Sequence, residues 1–204
     1  MRHVHWIGGG SGAGKSTIAR RLARRHGWRV YATDDVMADH ARRTTARDAP
    51  LLHAFLAMDM DERWVNRSPE EMLETFPWFH GEAFGLIVED LLRMPSEPPV
   101  VVEGFRLLPR LVEPLLPDRR HAVWLLPTPG FRQAAFRSRA GHEARFTART
   151  GHPERAERNL AVRDDLFTGR LREETARLGL PAVAVDRTMT EDRLARCVSE
   201  VFGL

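Results

Sequence analysis

The stretch HVHWIGGGSGAGKSTIARRLARR, residues 3–25, decides how the rest of the chain is read. Val4 to Ile7 is a short apolar run ended by glycines, the pattern of a buried strand. Ser16 to Arg25 puts Ile18, Ala19, Leu22 and Ala23 on one helical face, and Gly27 supplies the stop. Between them, Gly9-Gly10-Ser11-Gly12-Ala13-Gly14-Lys15-Ser16 matches G-x-x-x-x-G-K-[ST] in the strand-then-helix setting that the motif requires. Glycines let the backbone curl until its N–H groups converge on phosphate oxygens, and the helix dipole adds positive potential at the same place. The nucleotide-binding set is therefore Gly9 to Thr17: Gly9, Gly10, Ser11, Gly12, Ala13, Gly14, Lys15, Ser16 and Thr17. Lys15 is expected to reach the terminal phosphates, and Ser16 to place its hydroxyl on a magnesium ion that bridges them.

Lys15 is the only lysine in 204 residues, and the other 30 basic residues are arginine. A compact ammonium on a flexible stem fits a tight ring of backbone amides, whereas a planar guanidinium fork does not. The one position that escapes the chain's drift to arginine is the one where arginine has the wrong shape. The lysine count also excludes the guanine-reading N-K-x-D motif of GTPases.

A length of 204 residues fits a single domain with a sizeable core. Net charge is only +3, from 31 basic and 28 acidic residues, which is weak evidence for a nucleic-acid partner, and the acids interleaved in the arginine-rich segment leave none expected. One cysteine, Cys197, excludes an internal disulfide. No apolar run approaches 18 residues and no signal-peptide pattern is present, so a cytoplasmic protein without a membrane partner, monomeric or homodimeric, is expected.

Further along, Arg29–Ala32 reads as a second strand, the unbroken VVVEGF run (100–105) as a central parallel strand, and Ala122–Leu126 and Ala182–Val185 as two more. Ser68-Pro69-Glu70-Glu71 has the form of a capped helix start, Phe79–Arg93 that of one amphipathic helix, and Thr190 that of a cap for the last helix. Strands alternating with helices predict an α/β fold: a three-layer sandwich around a five-stranded parallel sheet.

Two acidic positions follow strands. In an open α/β sheet ligands bind beyond the carboxyl ends of the strands, so Asp34 and Asp35 fall on the rim that carries the phosphate loop. A carboxylate there can take or orient the proton of an acceptor hydroxyl; Asp34 is favoured, Asp35 is the alternative, and Thr33 or Asp34 could instead cap the helix beginning at VMADHARR. Glu103 closes VVV beside the phosphate loop, a position suited to holding magnesium together with Ser16.

GGGSGAGKST, the acid after the second strand, VVVEGFR and the arginine-rich segment after the fourth strand together resemble the nucleoside monophosphate kinase-like group of P-loop kinases, which includes adenylate, shikimate and gluconate kinases and chloramphenicol-type phosphotransferases. The resemblance implies an ATP- and Mg2+-dependent kinase whose acceptor pocket is built by residues 36–94 and whose lid covers about 138–158. It implies lid arginines acting on the transferring group, with Arg137, Arg139, Arg145 and Arg163 chosen, the last sharing a helix face with Arg155 and Asn159. On the acceptor side it implies Asp34, Asp35, Arg42, Arg43, Arg63, Glu103 and Arg106, with Trp64, Trp78, Phe79 and His80 as further candidates. Glu103-Gly104-Phe105-Arg106 resembles the D-G-F-P-R stretch of adenylate kinases, whereas Asp34 resembles the kinases that phosphorylate a hydroxyl of a small metabolite. The leading expectation is transfer of the γ-phosphoryl of ATP to a hydroxyl of a small metabolite, nucleoside or antibiotic. A nucleoside monophosphate kinase and a nucleotide-binding regulatory protein without kinase activity are the alternatives.

Overall fold

The computed structural model describes residues 1–138 and 146–204, and the side chains of all of these except 135–138. Five strands, β1 (Val4–Gly9), β2 (Arg29–Ala32), β3 (Val100–Glu103), β4 (Ala122–Pro127) and β5 (Ala182–Val185), form one all-parallel sheet in the order β2-β3-β1-β4-β5. Register places the functional rim. Ile7 and Ala32 both pair with Glu103, and Gly9 pairs with Leu125, so Asp34, Glu103 and the phosphate loop emerge side by side from the carboxyl edge.

Alternation along the strands supplies two cores, because successive side chains of a strand face opposite ways. On one face Ile7, Val101, Val123 and Leu125 pack with α1 (Lys15–His26) and the C-terminal helix. On the other, Trp6, Val100, Val102 and Trp124 meet the helical region of residues 37–93 and a long helix that returns across the sheet. The helical region comprises α2 (Met37–Arg42), α3 (Pro50–Ala57), a π-helical turn (Glu62–Asn66), α4 (Pro69–Thr75), α5 (Pro77–His80) and α6 (Phe84–Arg93). After β3 comes the single turn α7 (Pro109–Val112), and after β4 comes α8 (Pro129–Ser138). The long helix is α9 (Pro153–Leu178), 26 residues or about 39 Å at the usual helical rise. The C-terminal helix is α10 (Glu191–Phe202).

Ser68 caps α4 by accepting from the Glu71 amide, and Thr190 caps α10 by accepting from that of Arg193. Gly27 and Gly179 end α1 and α9 in left-handed conformation. The expected single helix over Phe79–Arg93 is instead two. Gly81, at φ 88°, terminates α5, and α6 begins only at Phe84. The break has a purpose that periodicity does not show: Glu82, in the gap, accepts from the Leu51 and Leu52 amides at 2.9 and 2.7 Å and so caps α3. Along α6, Phe84, Ile87 and Leu91 are buried, whereas Leu92 is 69% exposed. No described helix is long and apolar enough to cross a membrane.

Candidate functional site

The phosphate loop is held open by its neighbours. Gly9 sits at φ 132°, where an added Cβ would lie 2.1 Å from the Leu125 carbonyl oxygen, and the Gly10 amide donates to that oxygen at 3.0 Å. Gly14, at φ 85°, turns the chain into α1, whose first turn has neither a side-chain cap nor an acidic residue. Its leading N–H groups are thus left for an anion. Lys15 is buried and folds back across the loop, donating to the Gly10 carbonyl at 2.8 Å.

Glu103 is 4% exposed, and the Ser16 side chain lies near enough to its carboxyl to favour the charged form. Burial pushes its carboxyl above the ordinary range, Ser16 and Lys15 oppose the rise, and the Asp34 charge adds to it. The Asp34 carboxyl is raised as well, by the surrounding protein, against the pull of Lys15, Thr33 and Arg106. A hydroxyl and two mutually repelling carboxylates make an all-oxygen donor set, which suits a hard divalent cation such as Mg2+. Asp34 and Asp35 both reach solvent. Helix capping by Thr33 or Asp34 does not occur, because α2 starts at Met37 with Val36 at its cap position and no side-chain cap.

Two cavities flank this loop. One, of about 480 Å³, runs along Gly12–Gly14, Thr17 and Ile18 and is closed by Phe131, Met189 and Leu194. Its apolar walls beside the phosphate-binding amides are suited to the base of a nucleotide. The other, of about 260 Å³, touches the loop at Ser11 and is otherwise walled by Met37, Phe55, Trp64, Phe76, Trp78, Phe79, Phe105 and Arg163.

Of the expected acceptor-side residues, Trp64, Trp78 and Phe79 line the second cavity, and Arg163 reaches it from α9. Arg163 lies over three rings, 4.7 Å from the Phe76 centroid, 5.2 Å from Phe79 and 5.4 Å from Trp64, and its Nε and Nη2 both bond Asp164. Its helix neighbour Asn159 donates to the carbonyls of Trp64 and Val65, whereas Arg155 is exposed. Arg63 lies outside the cavity wall, donating to the Phe55 and Leu56 carbonyls and covering the outer side of the Phe55 ring. Arg42 is exposed and pairs with Asp39, and Arg43 pairs with Asp39, Glu89 and Asp90. His80 borders a separate groove with Arg110 and Arg177. Arg106 is 2% exposed and spent on protein: it donates to the Thr33 and Ala83 carbonyls and to His40 Nδ1, and stacks on Trp78. His40 passes the link on to Asp90, which also binds Tyr31 and Arg43; although burial pushes the Asp90 carboxyl up, these bonds hold it at about 2. Arg139 and Arg145 lie outside the described residues, as does the side chain of Arg137.

Sequence reasoning passed over Phe131 and Met189, and did not choose Arg132 from the arginine-rich segment. Arg132, on α8, is 2% exposed, reaches Thr168 Oγ1 and pairs with Asp165. The signal was its place one turn after β4, on the same carboxyl edge as the phosphate loop.

No family model matches the chain, and no curated protein does. Among solved structures, deoxyadenosine kinase from M. mycoides with bound dATP is 10% identical, with 98% of this chain and 100% of that one covered and a TM-score of 0.52. The same kinase with products dCMP and a flexible dCDP gives 12% identity, 98% coverage of each chain and 0.52. Shikimate kinase from Acinetobacter baumannii with shikimate is 15% identical over 97% of this chain and 91% of that one, with a TM-score of 0.41. The chain has the P-loop kinase fold.

Proposed function

We propose that the protein is an ATP- and Mg2+-dependent kinase that phosphorylates a hydroxyl of a small molecule. The observation that carries this reading is the joining of three things on one sheet edge: a phosphate loop closed by Lys15, the Ser16–Glu103–Asp34 oxygen cluster, and a small-molecule cavity touching Ser11. Ser16 and Glu103 would hold the magnesium ion, whose charge offsets that of the phosphates when bound. The loop amides and Lys15 hold the β- and γ-phosphates, and the Phe131–Met189 cavity takes the base. The acceptor hydroxyl oxygen forms the new bond to phosphorus, its proton passes to Asp34, and the bond from phosphorus to the ADP oxygen breaks. The raised pKa of Asp34 makes it a better proton acceptor than an ordinary surface aspartate. The lid arginines Arg137, Arg139 and Arg145 expected from the sequence would balance charge on the transferring group; Arg163, expected with them, is paired with Asp164.

Transfer to a hydroxyl is favoured over transfer to a nucleoside monophosphate, because Arg106 and Arg43, the cations that a phosphorylated acceptor would need, are bonded to protein acceptors. The fold's solved neighbours include a deoxyadenosine kinase, which supports a small-molecule acceptor. The test is Lys15→Ala. Acceptor-dependent ADP release should fall at least about 1000-fold while the melting temperature stays within a few degrees; near-wild-type release in the variant would remove the donor site from this loop.

A further inference from the structure

The 260 Å³ cavity is small, about nine water molecules' share of liquid volume, and its chemistry is one-sided. Six aromatic rings and Met37 form the wall, and Arg163 is its one charged side chain among the described residues. Asp164 already neutralises that charge through Arg163 Nε and Nη2, at 3.0 and 2.7 Å. A phosphorylated or carboxylated ligand would therefore bury its charge here without a free counter-ion, which is costly. A cationic ligand fares no better, since guanidinium groups already occupy faces of Trp64, Phe76 and Phe79 (Arg163) and of Trp78 (Arg106).

Two side chains of this wall each carry an unmatched polar atom. Arg163 Nη1 and Trp64 Nε1 are each buried with no hydrogen-bond partner. Both are N–H donors, and neither can accept. Buried donors of this kind are normally satisfied, so two on adjoining residues of one cavity point to a ligand that brings the acceptors.

We infer that the acceptor is an uncharged molecule with a flat ring that presents carbonyl oxygens or ring nitrogens to Arg163 Nη1 and Trp64 Nε1, and that the hydroxyl to be phosphorylated lies on a short arm outside the rings. The aromatic wall binds the ring faces, the two donors fix its orientation, and the arm emerges at Ser11, where the cavity meets the phosphate loop. This rests on the kinase reading only for what happens to the hydroxyl; ring recognition stands on the cavity alone.

Equilibrium binding without ATP separates the two claims. Tryptophan fluorescence, to which Trp64 and Trp78 contribute from the wall, is titrated with thymidine and 3-(hydroxymethyl)pyridine, with thymidine 5′-monophosphate and gluconate as anionic counterparts. Saturable binding is expected for at least one neutral ring compound, weaker for thymidine 5′-monophosphate than for thymidine, and undetectable for gluconate. Arg163→Met should weaken the neutral ring compound about tenfold, the loss of one buried hydrogen bond. Trp64→Phe, which removes the N–H donor together with the five-membered ring of the indole, should weaken it severalfold even if Arg163→Met folds poorly. The inference is overturned if neither neutral ring compound binds, if an anion binds more tightly, or if Trp64→Phe leaves affinity unchanged. Ring binding without phosphoryl transfer would sustain this inference and sink the kinase reading; transfer to gluconate without ring binding would do the reverse.

Discussion

Lys15 lowers the raised pKa of Asp34 by its charge, and the roles proposed for the two residues are separable kinetically. In the proposed kinase Lys15 would hold donor phosphates and Asp34 would act on the acceptor proton, so Asp34→Asn should cut kcat by about 100-fold or more while changing the KM for ATP by less than about threefold. Steady-state kinetics at saturating acceptor decides it, and an unchanged kcat would pass the base role to Asp35. Gly104 makes a separate structural prediction. At φ 152° its position leaves no room for a side chain, and a Cβ would sit 1.7 Å from Thr33 Oγ1. Gly104→Ala should lower stability by roughly 2 kcal/mol or more in urea melts and displace the strand end that carries Glu103. Lys15 could be read directly from the sequence because its type was singular. Arg106 could not be assigned in the same way, because motif spacing gives a position and says nothing about which acceptors surround it. The structure surrounds its guanidinium with the Thr33 and Ala83 carbonyls and His40.

At the scale of elements, α9 ties the two halves of the site together. Thr168 packs against Gly10, so closely that a Cβ there would fall 2.5 Å from its Oγ1, while Arg163, five residues earlier, lines the 260 Å³ cavity. Asn159, one turn earlier again, gathers the carbonyls of Trp64, Val65 and Arg67 at 3.2 to 3.4 Å and so caps the π-helical turn that presents Trp64. Asn159→Ala should cost about 1–3 kcal/mol, the usual penalty for orphaned buried carbonyls, and raise the acceptor KM more than the ATP KM. Equal effects on both constants would mean that the turn does not set Trp64. The four-residue spacing of Arg155, Asn159 and Arg163 was legible as a shared face. What that face meets was not, because its partners come from a turn nearly 100 residues earlier. Strand positions and sheet class were legible for the opposite reason: each depends on a local apolar run, such as VVV before Glu103, bounded by glycine or proline. The split of the expected Phe79–Arg93 helix escaped periodicity because Glu82 is committed to the distant amides of Leu51 and Leu52.

Across the whole molecule, chemistry gathers at the carboxyl edge of the sheet, while His5, His26, Trp28 and His121 stack together near the opposite edge, 4.3 to 5.3 Å apart between ring centroids. Burial, helped by the neighbouring His121 and His26, lowers the His5 pKa to about 4. The folded protein thus holds His5 neutral, and its contribution to stability is complete above about pH 6.5 and is lost as pH falls from there towards about 4. That loss should reach about 2 kcal/mol after solvent screening, and His5→Phe should flatten the acid limb of a melting-temperature profile. This edge lies away from the site, so the acid loss is expected in stability and not in nucleotide affinity at pH 7. The central claim concerns the other edge: this P-loop fold moves phosphate from ATP to a hydroxyl. Its most direct test is incubation with γ-labelled ATP, Mg2+ and a panel of nucleosides, sugars, hydroxylated antibiotics and nucleoside monophosphates, followed by identification of the labelled product. The account predicts a labelled phosphate monoester of an uncharged, ring-bearing alcohol, absent with Lys15→Ala. A labelled nucleoside diphosphate, or nucleotide binding with no labelled product from any acceptor, would contradict it.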